Sequence, residues 1–97
     1  MKKWHSEMTD KLVYAITHVK NEEDCYKLLE DLCTIKEIID MSQRLEVASL
    51  LKEGKNYQEI NKVLGVSTAT ISRVNKCISY GEGGYELAVD IVKNKDN

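Results

Sequence analysis

The chain has 97 residues, and this length predicts a single small domain that spans residues 1–97. Hydrophobic residues make up 42% of the chain and charged residues 31%, which is the balance of an ordinary globular protein rather than a disordered one. The net charge of −2 argues against indiscriminate binding to nucleic acid. No apolar run is long enough to cross a membrane, and "MKKWHSEMTD" lacks the apolar core of a signal peptide, so we expect a cytoplasmic protein.

The cysteines and histidines give no metal site. Cys25, Cys33 and Cys77 contain no C-x-x-C pair, and His5 and His18 lie too far along the chain to complete a ligand set. We interpret the thiols as small buried side chains in a reducing compartment. No Gly-rich phosphate loop, nucleophile elbow or pair of catalytic carboxylates stands out, so we expect neither an enzyme nor a bound cofactor.

Charge is unevenly distributed along the chain. Residues 55–80 contain four bases and one acid, whereas residues 21–53 contain nine acids and four bases. A mildly basic segment on an acidic body is compatible with one face that binds phosphate. Chance asymmetry remains an alternative on charge alone.

Apolar spacing predicts helices throughout the first half of the chain. A first helix covers residues 6–19, and Asn21 caps a short second helix. "TIKE" is a capping box in which Thr34 and Glu37 bond each other's backbone amides, and it opens a third helix that extends to about Lys52. The apolar residues of this third helix spread around much of its circumference, so it should be buried on more than one side. A partner chain is the simplest cover in so small a protein.

Two short helices follow, joined through a glycine. Asn56 caps the first of them, Gly65 ends it, and Ser67 caps the next. This pattern predicts a helix-turn-helix over residues 56–78 or so, with a plain αα-hairpin as the alternative. A final amphipathic helix spans residues 85–93.

The pattern of the helix-turn-helix can be tested position by position. Its five core positions all hold aliphatic residues: Ile60, Leu64, Val66, Ile71 and Val74. Val63 is also expected to face inward. Asn61 stands where the motif usually has alanine at the contact between the helices, and this departure predicts a more open crossing.

The second helix of the motif presents small polar residues at its start. The predicted exposed set is Ser67, Thr68, Ala69, Thr70, Ser72 and Arg73. Such short side chains let a backbone approach a DNA duplex, where hydroxyls bond base edges or phosphates and methyl groups touch thymine. Solvated helix capping would explain Ser67 and Thr68 taken alone, but explains the whole set less well.

The stretch "SQRLEVASLLKEGKNYQEINKVLGVSTATISRVNKCI" resembles the core of the Trp-repressor superfamily. The "YGEGGYE" tail is similar to the TrpR-related YerC/YecD branch rather than to the tryptophan-binding branch. The resemblance implies an all-α fold of six helices, an intertwined homodimer, and a helix-turn-helix that reads operator DNA. An intertwined homodimer agrees with the expectation that a partner chain covers the apolar residues of the third helix.

The resemblance also implies roles for particular residues. The family's positions for contacts with DNA bases and phosphates fall on Gln58, Asn61, Thr68, Ala69, Thr70 and Ser72. Gln58 and Asn61 replace basic residues of the repressor, so its operator contacts do not transfer directly.

The repressor's two carboxylate-binding arginines match Arg44 and Arg73, if one residue is deleted between Thr34 and Arg44, and Thr34 matches a further pocket position. Val74 replaces the glycine against which the corepressor ring lies. Cys77 replaces a small pocket residue, and Cys33 an apolar one. These replacements predict no tryptophan binding and leave a smaller carboxylate effector open. The alternative is that both arginines are structural or face phosphate, as Arg73 would on the exposed helix.

Our hypothesis is a dimeric, sequence-specific DNA-binding regulator of transcription that recognises a near-palindromic operator. The alternative is a helical protein-interaction module whose Ser/Thr face docks on another protein. Steep weakening of binding by salt would distinguish DNA from that alternative, because phosphate contacts release counterions.

Overall fold

A computed structural model describes residues 2–95, and within that range the chain forms six helices and no strand. The helices are α1 (Glu7–His18), α2 (Glu22–Leu32), α3 (Ile35–Lys52), α4 (Tyr57–Leu64), α5 (Thr68–Tyr80) and α6 (Gly84–Lys93). The predicted all-α class and the six-helix order are confirmed, and the helix ends lie within a few residues of their predicted positions. None of the described helices is long and apolar enough to cross a membrane.

Side-chain caps fix where most of these helices begin. The Thr34 amide donates to Glu37 Oε1 at 2.8 Å and the Glu37 amide donates to Thr34 Oγ1 at 3.1 Å, which is the predicted capping box. Asn56 and Glu59 form a second box of the same kind. The hydrogen bonds from Thr34, the backbone amide first, hold the pKa of Glu37 below its usual value. This cap therefore contributes fully at neutral pH and weakens as pH falls through the lowered pKa.

The chain divides into two compact units, Met1–Ile38 and Ile39–Asn97. The first unit contains α1 and α2, and neither helix has a buried residue. Its apolar side chains are instead largely exposed, as for Met8 (80%), Tyr14 (66%) and Ile35 (64%).

The second unit holds the core. Its buried residues are Val47 and Ala48 of α3, Ile60 of α4, Val66, Ile71 and Val74 of the turn and α5, and Val89 of α6. Partly buried side chains surround this core, among them Leu45, Tyr57 and Leu64. Lys52 and Glu86 link α3 to α6 with an ion pair of 3.9 Å.

Val63 and the cysteines are more exposed than the sequence predicted. Val63 is 71% exposed, because α4 turns only Tyr57, Ile60 and Leu64 toward the core and each residue rotates by about 100° around the helix axis. The cysteines are not buried either, since Cys25 and Cys77 are exposed and Cys33 is half-buried.

Gly81 is the position in the second unit where a side chain would meet backbone. It ends α5, its amide donates to the Cys77 carbonyl at 2.8 Å, and a Cβ there would overlap that carbonyl oxygen. Gly84 lies three residues later, and a Cβ at that position would have nothing within 4 Å. The turn between α5 and α6 therefore depends on Gly81 and on Gly83, whose φ of 85° favours glycine, and it tolerates change at Gly84.

We predict that Gly81→Ala destabilises the protein by about 1–3 kcal/mol, because the last turn of α5 must shift to relieve the overlap. Gly84→Ala should leave stability unchanged or raise it slightly, because alanine favours a helix over glycine. Thermal unfolding followed by circular dichroism measures both, and 1 kcal/mol corresponds to about 4–8 °C for a chain of this size. Equal melting temperatures for the two variants would contradict the assignment.

Candidate nucleic-acid interface

A sharp turn at Gly65 sets the angle between α4 and α5. Gly65 has a φ of 70°, in the left-handed region that favours glycine, and its amide donates to the Asn61 carbonyl at 2.8 Å. Val66, directly after it, is 7% exposed and anchors the turn in the core. Ile71 and Val74 are fully buried and hold α5 in place. The helix-turn-helix prediction is confirmed at these positions, while Leu64 is half-buried rather than buried.

The Asn61 side chain forms a hydrogen bond within the helix-turn-helix. Its side-chain Nδ2 donates to the Val66 carbonyl at 2.7 Å, a partly buried bond that ties α4 to the turn. The sequence assigned Asn61 to DNA contact through its position in the family pattern. The bond to Val66 gives an independent reason for an asparagine at this site.

The hydroxyls at the start of α5 fall into two groups. Ser67 Oγ accepts from the Thr70 amide at 3.1 Å and lies 3.1 Å from Thr70 Oγ1, so both hydroxyls belong to the helix cap. Thr70 is half-buried, which corrects the expectation that it is fully exposed. The cause is the cap itself, since the Thr70 side chain turns back toward Ser67.

Thr68, Ala69, Ser72 and Arg73 are exposed at the same end of α5, as predicted. Within residues 2–95, no side-chain hydrogen bond or ion pair engages Thr68, Ser72 or Arg73. Gln58 on α4 is exposed and equally unengaged in the described part of the chain. These polar groups are therefore available to a binding partner.

Lys62 adds positive charge to α4, and it is exposed. The only acid of residues 55–80 is Glu59, whose carboxylate accepts from the Asn56 amide at 3.1 Å within the capping box. Lys62 contributed to the charge balance of the sequence but was not predicted as a site residue. Lys62 follows Gln58 by four residues on α4, and this helical spacing could have identified Lys62 as a candidate site residue.

The residues of the expected effector pocket have different surroundings. Arg44 is half-buried and Arg73 is exposed, whereas Val74 is fully buried in the core. Thr34 uses its hydroxyl in the cap of α3, and it belongs to the first unit.

A shallow hollow of about 270 Å³ adjoins Arg73. Its lining consists of Arg73, Lys76, Cys77, Tyr80 and Gly81. The structure thus brings Arg73 and Cys77 to one hollow, and neither Arg44 nor Val74 is among its lining residues.

Comparison with known proteins gives consistent relatives. The family model described as "Trp repressor protein" matches residues 7–93. The uncharacterized protein YerC of Bacillus subtilis (strain 168) is 49% identical over 87 residues, which cover 90% of this chain and 84% of YerC. The crystal structure of a protein described as a "putative Trp repressor" from Staphylococcus aureus superposes with a TM-score of 0.88 at 40% identity, covering 98% of this chain and 95% of that one. The crystal structure of a TrpR-like protein from Eubacterium eligens ATCC 27750 superposes with a TM-score of 0.88 at 40% sequence identity, and the match covers 95% of each chain.

We predict that Asn61→Ala destabilises the protein by about 1 kcal/mol, because it leaves the partly buried Val66 carbonyl without its donor. Gln58→Ala, on the same helix but exposed and unengaged, should change stability by less than about 0.5 kcal/mol. Urea denaturation of the two variants and the parent measures the difference. Equal midpoints would show that the Asn61 amide has no structural role.

Proposed function

Because the chain belongs to the Trp repressor family, we propose that it is a sequence-specific DNA-binding regulator of transcription that acts in the cytoplasm as a homodimer. The observation that carries the proposal is the outer face at the start of α5. There Thr68, Ala69 and Ser72 are exposed and unengaged, on a helix whose inner residues Ile71 and Val74 are fully buried. Such a helix can enter the major groove without any rearrangement of the core.

The proposed contacts follow from the chemistry of these side chains. The methyl groups of Thr68 and Ala69 suit the C5-methyl of thymine, and the hydroxyls of Thr68 and Ser72 suit base edges or phosphates. Gln58 reaches the duplex from α4, as an amide that bonds adenine or a phosphate oxygen. Ser67 and Thr70 contribute mainly by fixing the first turn of α5, since their hydroxyls already bond within the cap.

The charge of the motif supports binding to phosphate. Lys55, Lys62, Arg73 and Lys76 belong to the segment that contains the exposed start of α5, while the negative charge of the chain lies mostly in residues 21–53. A duplex approaching the motif therefore meets a positive surface, and binding should weaken steeply as salt rises.

We predict that fragments selected from random duplex DNA by the purified protein contain a near-palindrome, with half-sites about 34 Å or one duplex turn apart. Ala69→Glu should abolish binding to the selected duplex, because it places a carboxylate against the groove. Thr17→Glu is the control, since it adds the same charge at an exposed position on α1, outside the helix-turn-helix. Both positions are exposed, so both variants should keep the parent's circular dichroism spectrum.

Tight binding by Ala69→Glu would show that the recognition surface lies elsewhere. If the purified protein selects no DNA but binds another protein with an affinity that does not depend on salt, the protein-interaction module is favoured instead.

The proposal of a homodimer rests on exposed apolar surface. Apolar side chains that are about 40% exposed or more occur along α1, α2 and the start of α3: Met8, Leu12, Val13, Tyr14, Ile16, Tyr26, Leu32, Ile35, Ile39 and Met41. A stable monomer rarely exposes so much apolar surface. A second copy of the chain is the cover we propose, in keeping with the family's fold.

We predict that sedimentation at low micromolar concentration shows a dimer. Ile16→Asp should shift the protein toward monomer or unfold it, because a carboxylate would be buried without a partner in the interface. Thr17→Asp, at the neighbouring polar position of α1, should leave the dimer intact. A folded, monomeric parent would contradict the proposal.

We also propose that the protein does not bind L-tryptophan at physiological concentrations. Val74 is 0% exposed, so its isopropyl group is packed in the core where the family's tryptophan-binding members have a glycine. Overpacking at such a position typically costs about 1–3 kcal/mol. This leaves a smaller carboxylate as the effector class that Arg44 and Arg73 could hold.

Calorimetric titration of the dimer with L-tryptophan should therefore give no saturable heat. Val74→Gly tests the cause, because a pocket blocked only by that side chain should regain affinity. Since Val74 belongs to the core, this variant is first checked for a cooperative unfolding transition. Saturable binding of L-tryptophan by the parent protein, at one ligand per subunit, would overturn the proposal.

A further inference from the structure

One face of α5 carries a continuous exposed row of side chains beyond the residues assigned to base contact. We define the α5 row as Ala69, Ser72, Arg73, Lys76 and Tyr80. Each of them lies three or four residues from another member, so all five share one side of the helix. All five are exposed, and Tyr80 is 86% exposed. The first part of the row was predicted to bind DNA, whereas Lys76 and Tyr80 were not.

The charges of this row have no partner in the described part of the chain. Arg73 and Lys76 are the only charged residues of α5, and neither forms an ion pair within residues 2–95. The positions three and four residues from Lys76 hold no acid, and one of them is Arg73 itself. Like charges at this helical spacing repel each other, so the free protein gains nothing from the pair and a bound anion would relieve the repulsion.

Arg73, Lys76 and Tyr80 also border a common hollow. They line it together with Cys77 and Gly81, and no acidic residue takes part in the lining. The Tyr80 hydroxyl makes no hydrogen bond among residues 2–95. Two cations and a free phenol on one rim are a suitable set of donors for phosphate oxygens.

The length of α5 determines which part of a duplex these residues would meet. Lys76 lies seven residues beyond Ala69, or about 10 Å along the axis, and Tyr80 lies about 16 Å beyond it. The major groove is only about 12 Å wide. The groove is also only about 8.5 Å deep, so when α5 enters it by its start and touches base edges, Lys76 and Tyr80 lie at or beyond its rim, beside the sugar–phosphate backbone.

We infer that Lys76 and Tyr80 bind backbone phosphates of the DNA that the start of α5 reads, an inference that rests on the proposed function. These contacts are independent of sequence. They raise the affinity for every duplex and fix the depth and register of α5, while Thr68, Ala69 and Ser72 supply the discrimination between sequences.

The test compares the salt dependence of DNA binding between variants. Lys76→Gln should lower the slope of log Kd against log salt concentration by about 0.9 for each phosphate that the lysine neutralises, and it should weaken binding to the selected duplex and to a scrambled duplex by the same factor. Tyr80→Phe should weaken both by roughly five-fold, because it removes one hydrogen bond. Lys93→Gln is the control, since it removes the same charge from an exposed position on α6 and should leave the slope unchanged.

The outcomes separate this inference from the function on which it rests. If the parent binds its selected duplex while Lys76→Gln keeps the parent's slope and affinity, the phosphate contact is overturned and the base-reading assignment stands. If Lys76→Gln weakens only the selected duplex, Lys76 contacts a base and the inference is equally overturned. If the parent selects no DNA at all, the proposed function fails and the inference fails with it.

Discussion

Burial of two aliphatic side chains, Ile71 and Val74, holds α5 in place. Both are fully buried in one core with Val47 and Ala48 of α3 and Ile60 of α4. Burying such a side chain contributes about 1.5–3 kcal/mol, and a whole domain is stable by only about 5–15 kcal/mol. Loss of both would therefore remove an amount comparable with the net stability of a domain. Because both side chains lie on one side of α5, the opposite side takes no part in the core and is free to bind a partner.

The same small core explains what the single chain leaves uncovered. All of the fully buried side chains among residues 2–95 belong to the second unit, and α1 and α2 contribute none. The first unit nevertheless has well-formed helices, because caps such as Ser6, Asn21 and Thr34 satisfy backbone donors locally and do not depend on distant packing. Local capping can determine where a helix begins, but it cannot hide an apolar face from water. A second copy supplies that cover in our proposal.

The sequence predicted the features that depend on neighbouring residues. The Thr34–Glu37 and Asn56–Glu59 boxes, the glycine turn and the aliphatic positions of the helix-turn-helix all follow from short spacings, and the structure has them. Prediction failed where the direction of a side chain depends on the exact rotation of a helix or on a bond across a turn. Val63 is apolar enough for the core but lies off the narrow inner side of α4. The Thr70 hydroxyl is held by the Ser67 cap, and the Asn61 amide bonds a carbonyl across the turn, which no short spacing indicates.

The division of the hydroxyls at the start of α5 has a consequence for how recognition can change. Ser67 and Thr70 are committed to the cap, so their replacement would alter the helix as well as any contact with DNA. Thr68, Ala69 and Ser72 bond nothing through their side chains within the described chain, and their substitution should change stability by no more than about 0.5 kcal/mol. The proposed base-reading positions can therefore vary with little effect on the fold. The cap and the buried side of α5 must stay as they are if the helix is to present those positions at all.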